Sequence, residues 1–338
     1  MKIAITGASG NLGSALLRRL TTAGHDLVGV SRRAAEPPPP GVTWRQVDVG
    51  SDVAPEALAA AFRGCDAVVH LAWMIRPGHE KALLERTNVR GTRHVLGAAE
   101  TAGVGQVVVV SSIGAYAPGP GPDPKHPPVE ESWPATGIPS ATYSRQKAEQ
   151  ERLVEAAAAR AAIPVVTVLR PALVFQAGAA SEIGRLFLGP LVPTRLAGRL
   201  WLPFLPLPRE LRFQVVHADD VAEAARTVLE TRAPGAFNVA TDPVLTPDDV
   251  ARTLGARRAV PLPLAVARGV AAVTWHARLQ PSEPGWVDLA ARSPVMSTAA
   301  LRDLGWVPRH GARETLAELV TGLRLGSGDP AYPPLHPR

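Results

Sequence analysis

Residues 142 to 147 read TYSRQK. The chain carries 36 lysines and arginines but only four lysines, Lys2, Lys81, Lys125 and Lys147, and only three tyrosines. Tyr143 and Lys147 nevertheless stand four places apart, which on a helix puts both side chains on one face, one turn apart. A phenol that ionises near pH ~10 is a poor base in neutral solution, but a neighbouring ammonium favours the phenolate and makes the pair a proton donor and acceptor. Ser112, closing an apolar run upstream, can hold the oxygen with which such a proton is exchanged. An ordinary pair on a helix surface is the plainer alternative. Tyr116 has no lysine at this interval, and Tyr332 lies in the C-terminal tail.

Such a proton donor and acceptor serves hydride transfer when an electron carrier binds beside it, and TGASGNLG (6 to 13) offers a place for one. Gly7, Gly10 and Gly13 follow a GxxGxxG spacing where an apolar strand gives way to a helix. Without Cβ atoms the turn lets a pyrophosphate approach the backbone, while the helix start adds free amides and a positive dipole end. Ser9, Asn11 and Leu12 belong to the same cofactor cradle; a tight structural turn is the alternative. Where the second strand ends, a carboxylate would bond the ribose 2′-hydroxyl of NAD. Here Ser31 is followed by Arg32 and Arg33, whose guanidinium forks suit a 2′-phosphate. NADP is therefore favoured over NAD, with solvated loop arginines as the competing reading. Asp48, followed by Val49 after the third strand, is placed to accept from the adenine amino group or to cap a turn. An oxidised nicotinamide beside Tyr143 would add its positive charge in favour of the phenolate, and Lys147 would also grip the nicotinamide ribose.

The elements that must position these groups alternate up to about residue 175. Runs at 2–6, 26–31, 42–47, 66–72, 106–112 and 164–170 read as nearly continuous apolar strands, with helices at 11–23, 80–102 and 141–162. That rhythm predicts an α/β fold, a doubly wound parallel Rossmann sheet covered on both faces, with ligands at the carboxyl ends of its strands. Residues 1–175 form the dinucleotide-binding domain, joined by returning segments near 213–240. Residues 176–325 form a smaller, interleaved α/β substrate domain, whose Pro-, Leu- and Trp-rich stretch at 186–211 is expected to cap a cleft. Residues 326–338 are expected to be a mobile tail.

Bulk properties narrow the function classes. The 338 residues are 46% hydrophobic, enough for a sizeable core. The formal charge of +6 comes from scattered arginines without a run of five, so no nucleic-acid surface is expected. One cysteine, Cys65, excludes an internal disulfide, and no histidine pattern suggests a metal. No stretch reaches the length of a membrane span and no leader pattern precedes the first strand, which predicts a cytoplasmic protein without a membrane partner.

Together these motifs resemble the extended short-chain dehydrogenase/reductase family, the NAD-dependent epimerase/dehydratase group. Further matches are HLAW (70–73), TNVRGTRHVLGAAETAGV (87–104), SSIGAYAP (111–118), LRPALVF (169–175), VVHADDVAEA (215–224), FNVA (237–240) and LGWVPR (304–309). The resemblance implies a Ser112–Tyr143–Lys147 triad and often a homodimer built on the helices near 80–102 and 141–162. It also implies a cofactor lined by Leu71, Ala72, Trp73, Pro171 and Val174, with Asn88 supporting the site. Trp73 as core packing and Asn88 as a satisfied buried polar group are the alternatives.

Departures from subfamily patterns also inform. Ile113-Gly114 replace the Asp-Glu pair of sugar-nucleotide dehydratases, and the chain after Arg170 stays apolar where many epimerases carry an asparagine. A small-molecule substrate of low polarity is therefore expected, although Arg185, Arg195, Arg199 and Arg209 could clamp an anion. The leading expectation is an NAD(P)-dependent oxidoreductase acting at a secondary alcohol or ketone. A sugar-nucleotide epimerase with tightly bound NAD, or a non-catalytic dinucleotide sensor, are the alternatives.

Overall fold

The computed structural model describes residues 1–75, 80–121, 126–188 and 203–336. In chain order its elements are β1 (Lys2–Thr6), α1 (Asn11–Thr22), β2 (Asp26–Ser31), β3 (Val42–Gln46), α2 (Ala54–Phe62) and β4 (Ala67–His70). There follow α3 (Lys81–Glu85), a π-helical turn (Arg86–Arg90), α4 (Gly91–Thr101), β5 (Gln106–Val110), α5 (Thr142–Ala159), β6 (Val165–Pro171), β7 (Leu173–Phe175) and α6 (Ala180–Ile183). The C-terminal part adds β8 (Leu205–Pro208), β9 (Phe213–His217), α7 (Ala218–Thr231), β10 (Gly235–Val239), β11 (Thr241–Leu245) and α8 (Pro247–Thr253). Last come β12 (Ala259–Leu262), α9 (Leu264–His276), α10 (Gly285–Arg292), α11 (Ala299–Asp303) and α12 (Ala312–Leu325).

Seven parallel strands in the order β10-β6-β5-β4-β1-β2-β3 make the main sheet. Strand order reverses between β1 and β4, which run parallel, so a crevice opens at their carboxyl ends, the usual ligand position in such sheets. Strand alternation divides the core into two layers. Ile3 and Ile5 of β1 pack with Leu16, Leu17 and Leu20 of α1 and Val221 and Val228 of α7. Ala4, one residue between them, joins Leu58 and Phe62 of α2, Val95 of α4 and Val154 of α5 on the other face. Two small sheets, β11-β9-β7 and β12-β8, form the C-terminal part.

Three expectations change in detail. Of the segment near 213–240, β10 joins the main sheet and α7 covers it, whereas β9 pairs with β7 and β11 in a separate sheet. The helix expected at 80–102 runs continuously from Lys81 to Thr101 and holds a π-helical turn at Arg86–Arg90. The proline-rich tail, expected to be mobile, is anchored: Tyr332 and Leu335 are buried in the first core layer, and Ala331 accepts a backbone hydrogen bond from Glu36 (2.9 Å). Proline stiffness leaves little chain entropy to lose, so two apolar anchors suffice to hold it. Most of the stretch expected to cap the cleft, with Arg195 and Arg199, lies outside the described residues.

Candidate active site

The glycine turn joins β1 to α1. Gly7 has φ +73, and a Cβ there would lie 2.7 Å from the Ala72 amide nitrogen. At Gly13 a Cβ would lie 2.3 Å from the Gly7 carbonyl oxygen. Both glycines therefore serve close approach of protein to protein. Gly10 differs: its nearest neighbour to a Cβ is the Gly7 carbonyl at 3.4 Å, so its face is open. It is also the N-cap of α1, whose first turn carries neither a side-chain cap nor an acidic residue. Free amides, a helix dipole and an open backbone fit a pyrophosphate.

The side chains about the turn fall into two groups. Asn11 is tied to the β7 segment, donating to the Val174 carbonyl (3.4 Å) and accepting from Gln176 Nε2 (2.6 Å). Ser9 is buried, and Leu12 is half-buried against the first core layer. At the end of β2, the Ser31 hydroxyl donates to the Arg33 carbonyl, while Arg32 and Arg33 are exposed. Asp48 accepts from the Gly50 amide (3.0 Å) and pairs with Arg86 (3.1 Å), so its turn-capping role is realised. Val49 is buried beside Gly91. Pro171 ends β6, and Leu71 and Ala72 lie against the back of the glycine turn.

Ser112, Tyr143 and Lys147 meet at the carboxyl edge of β5. Ser112 accepts from the Gly114 amide (3.0 Å), and its hydroxyl and the Tyr143 ring lie about the same open side of Gly114. Gly114 leaves room for the ring, since a Cβ there would sit 2.7 Å from Tyr143 Cε1. Burial pushes the Tyr143 phenol up to about 12, and the neighbouring Ser112 hydroxyl opposes that shift. Lys147 is buried and donates to the Val110 carbonyl (3.0 Å) and Gln150 Oε1 (2.9 Å), with its ammonium 3.7 Å from the centre of the Trp73 ring. Burial lowers it to about 7, and the negative charge of Glu151 pulls it back up. Sequence reading paired the ammonium with the phenol; here its bonds go to Val110, Gln150 and the Trp73 face.

Around this centre lies a buried network. Thr6 Oγ1 and His70 Nδ1 are 2.7 Å apart, His70 Nε2 and Thr92 Oγ1 are 3.0 Å apart, and Gln150 Nε2 donates to Thr92 (3.3 Å). Burial, with the Lys147 charge, lowers His70 to about 3, so it is neutral. Glu151 accepts from Ser111 (2.5 Å) and from Arg170 Nε (3.0 Å), and Arg170 donates on to the Tyr116 hydroxyl (2.9 Å). Asn88, in the π-helical turn, accepts from the Met74 amide (2.7 Å) and donates to Gln146 (3.0 Å), pinning the Trp73 loop to α5. A π-turn often marks such a functional position.

The far wall comes from the C-terminal part. Trp286 of α10 lies against the Tyr143 ring, and Glu283 accepts from the amide (2.7 Å) and hydroxyl (3.2 Å) of Thr142 at the start of α5. Sequence reasoning missed both, because nothing local links them to a helix about 140 residues upstream. Gln150 and Glu151 were also missed, although their spacing from Lys147 puts them on its helix face. Arg185, a candidate anion clamp, instead donates to the carbonyls of Pro334 (2.7 Å) and His336 (2.9 Å). Arg209 is exposed beside Glu210.

Among curated proteins, the uncharacterized protein Rv2047c of Mycobacterium tuberculosis is 29% identical over 327 residues, 96% of this chain. The chain spans only 30% of the length of that protein. A 3-diazoavenalumate denitrifying reductase from a Streptomyces species is 29% identical over 92% of this chain and 97% of its own length. Among solved structures, the Thermus thermophilus UDP-glucose 4-epimerase in complex with NAD matches with a TM-score of 0.69 at 23% identity, over 96% of this chain and 99% of that one. The likeness supports the α/β fold with a parallel Rossmann sheet. Residues 3–240 match the NAD dependent epimerase/dehydratase family, so the chain belongs to that family, within the extended short-chain dehydrogenases/reductases.

Proposed function

We propose that the protein is an NAD(P)-dependent oxidoreductase that transfers hydride at a secondary alcohol or ketone, with Tyr143 as general acid and base. The observation that carries this reading is the Tyr143 ring beside the Ser112 hydroxyl at the sheet edge, with Lys147 one helical turn along. The open face at Gly10 and the uncapped start of α1 support a dinucleotide along the β1–α1 turn. The exposed pair Arg32 and Arg33 favours NADP over NAD. Full-length similarity to a reductase is consistent with the reductive direction.

Bound nicotinamide supplies the hydride. Ser112 holds the substrate oxygen, and Tyr143, protonated at neutral pH, gives its proton to that oxygen as the carbonyl carbon accepts the hydride, leaving an alcohol. In the opposite direction the phenolate takes the alcohol proton. Lys147, with one N–H left beside its bonds to Val110 and Gln150, would hold the nicotinamide ribose and favour the phenolate by its charge. Helices α4 and α5 are proposed as the faces of a homodimer.

Tyr143→Phe is expected to abolish ketone-dependent oxidation of NADPH while dinucleotide affinity changes less than about twofold. Retained turnover would refute the acid and base assignment. Release of near-stoichiometric NAD⁺ from the denatured protein, read by mass spectrometry, would overturn the NADP preference and favour a cofactor-recycling epimerase.

A further inference from the structure

The rings about Tyr143 come from three separated parts of the chain. Trp73 meets Tyr143 edge-on, with centroids 6.1 Å apart at 81°. Trp286 lies tilted against Tyr143 at 5.1 Å, and Phe187 meets Trp286 edge-on at 5.0 Å. Trp286 is held there by its neighbours. Gly285 presses so closely on the start of α5 that a Cβ would come within 2.3 Å of the Ser140 carbonyl, and Glu283 fastens the same turn to Thr142. Rings fixed at both ends of a site do not reshape freely to suit a non-planar ligand.

Among the described residues, Thr142 and the Lys147 ammonium beside this wall are already engaged, whereas the buried Trp73 indole N–H has no acceptor. Thr142 is occupied by Glu283, and the Lys147 ammonium by Val110, Gln150 and the Trp73 face. One face of Trp73 is covered by Lys147, so the ring surface on offer beside the reacting hydroxyl at defined angles is that of Trp286 and Phe187. Such surface attracts another π system through offset or edge-on contact and rewards a saturated ring less. We infer that the substrate is a planar, aryl-conjugated ketone or the corresponding alcohol, its ring seated on Trp286 and its oxygen at Tyr143. Trp286 is then the residue that sets specificity. This rests on the oxidoreductase reading of the same site.

The test uses the full chain carrying Tyr143→Phe, which keeps the ring while stopping turnover, saturated with NADP⁺. Calorimetry compares 4-phenyl-3-buten-2-one with 4-cyclohexylbutan-2-one, a ketone of similar size with a non-planar ring. The aromatic ketone is expected to bind about tenfold tighter, the size of one or two aromatic contacts. Adding Trp286→Leu should bring the two within about twofold by weakening only the aromatic one, and Trp286→Phe should keep most of the preference. Equal binding of the two ketones, equal weakening of both by Trp286→Leu, or no binding of either overturns the inference. Preferential binding of the aromatic ketone without NADPH-dependent turnover by the unmodified protein would instead refute the oxidoreductase reading and leave the aromatic preference standing. Turnover of both ketones without preference would refute the aromatic preference alone.

Discussion

Replacing Glu151 by glutamine tests the buried pair beneath the active site. Glu151 and Arg170 have side chains only 3% and 7% exposed, so neither can turn to water if its partner is lost. Glu151 accepts from Arg170 Nε, at 3.0 and 3.1 Å, and from Arg170 Nη2 at 2.5 Å, besides the bond from Ser111. An amide of the same shape keeps one acceptor but leaves the guanidinium without a counter-charge. Stranding one partner of a buried pair costs roughly 3–5 kcal/mol. The stranded group here also donates to the Tyr116 hydroxyl and the Glu131 carbonyl, which soften the loss, so about 3 kcal/mol is expected. Urea unfolding at neutral pH measures it as a shift of the midpoint at unchanged slope. Adding Arg170→Met should return about half of the loss or more, because the charge that suffered is gone. A cost below about 1 kcal/mol for Glu151→Gln, or no recovery in the double variant, would show that the pair is not the electrostatic unit described.

Other expectations concern the cofactor turn and titration. Gly13→Ala should destabilise the fold outright, since its Cβ would meet the Gly7 carbonyl at 2.3 Å, whereas Gly10→Ala, with 3.4 Å, should keep its melting temperature and lose dinucleotide affinity; equal melting losses would contradict this division. Arg32→Ala should weaken NADPH about tenfold or more and NADH little, and equal losses in a binding titration would remove Arg32 from 2′-phosphate recognition. Lys147, held at about 7 in the fold, binds fewer protons than in the unfolded chain between there and its ordinary value near ~10. Stability should therefore rise with pH across that window, by up to about 1.4 kcal/mol per unit. Lys147→Met should flatten that slope, and an unchanged slope in urea unfolding from pH 6.5 to 9.5 would assign it elsewhere.

The main sheet was legible because its strands are nearly continuous apolar runs and each ends in turn chemistry, as at Thr6-Gly7 and Ser111-Ser112. The Tyr143–Lys147 spacing was legible because one helical turn is a local quantity. Local quantities could not reveal where the Lys147 ammonium points, since Gln150 and the Val110 carbonyl compete for it inside the core. Nor could they mark the π-helical turn at Arg86–Arg90, which no proline or glycine within it announces. The tail misled for a related reason: proline content reports backbone stiffness, while the burial of Tyr332 and Leu335 depends on a surface made by distant residues. Trp286 and Glu283 were invisible in the same way, being joined to α5 only by folding.

The anchoring of α5 has a consequence for biosynthesis. The helix bearing Tyr143 begins at Ala141 without a side-chain cap of its own, and the carboxylate that bonds its first turn belongs to Glu283. A chain emerging from the ribosome has every strand of the main sheet once residue 239 is out. At that moment the first turn bearing Tyr143 still lacks both its anion and the ring that packs on the phenol. The same last third also supplies Leu301, Trp306, Tyr332 and Leu335 to the first core layer, so the sheet and the surroundings of the phenol are completed together, and only when the C-terminal segment has left the ribosome.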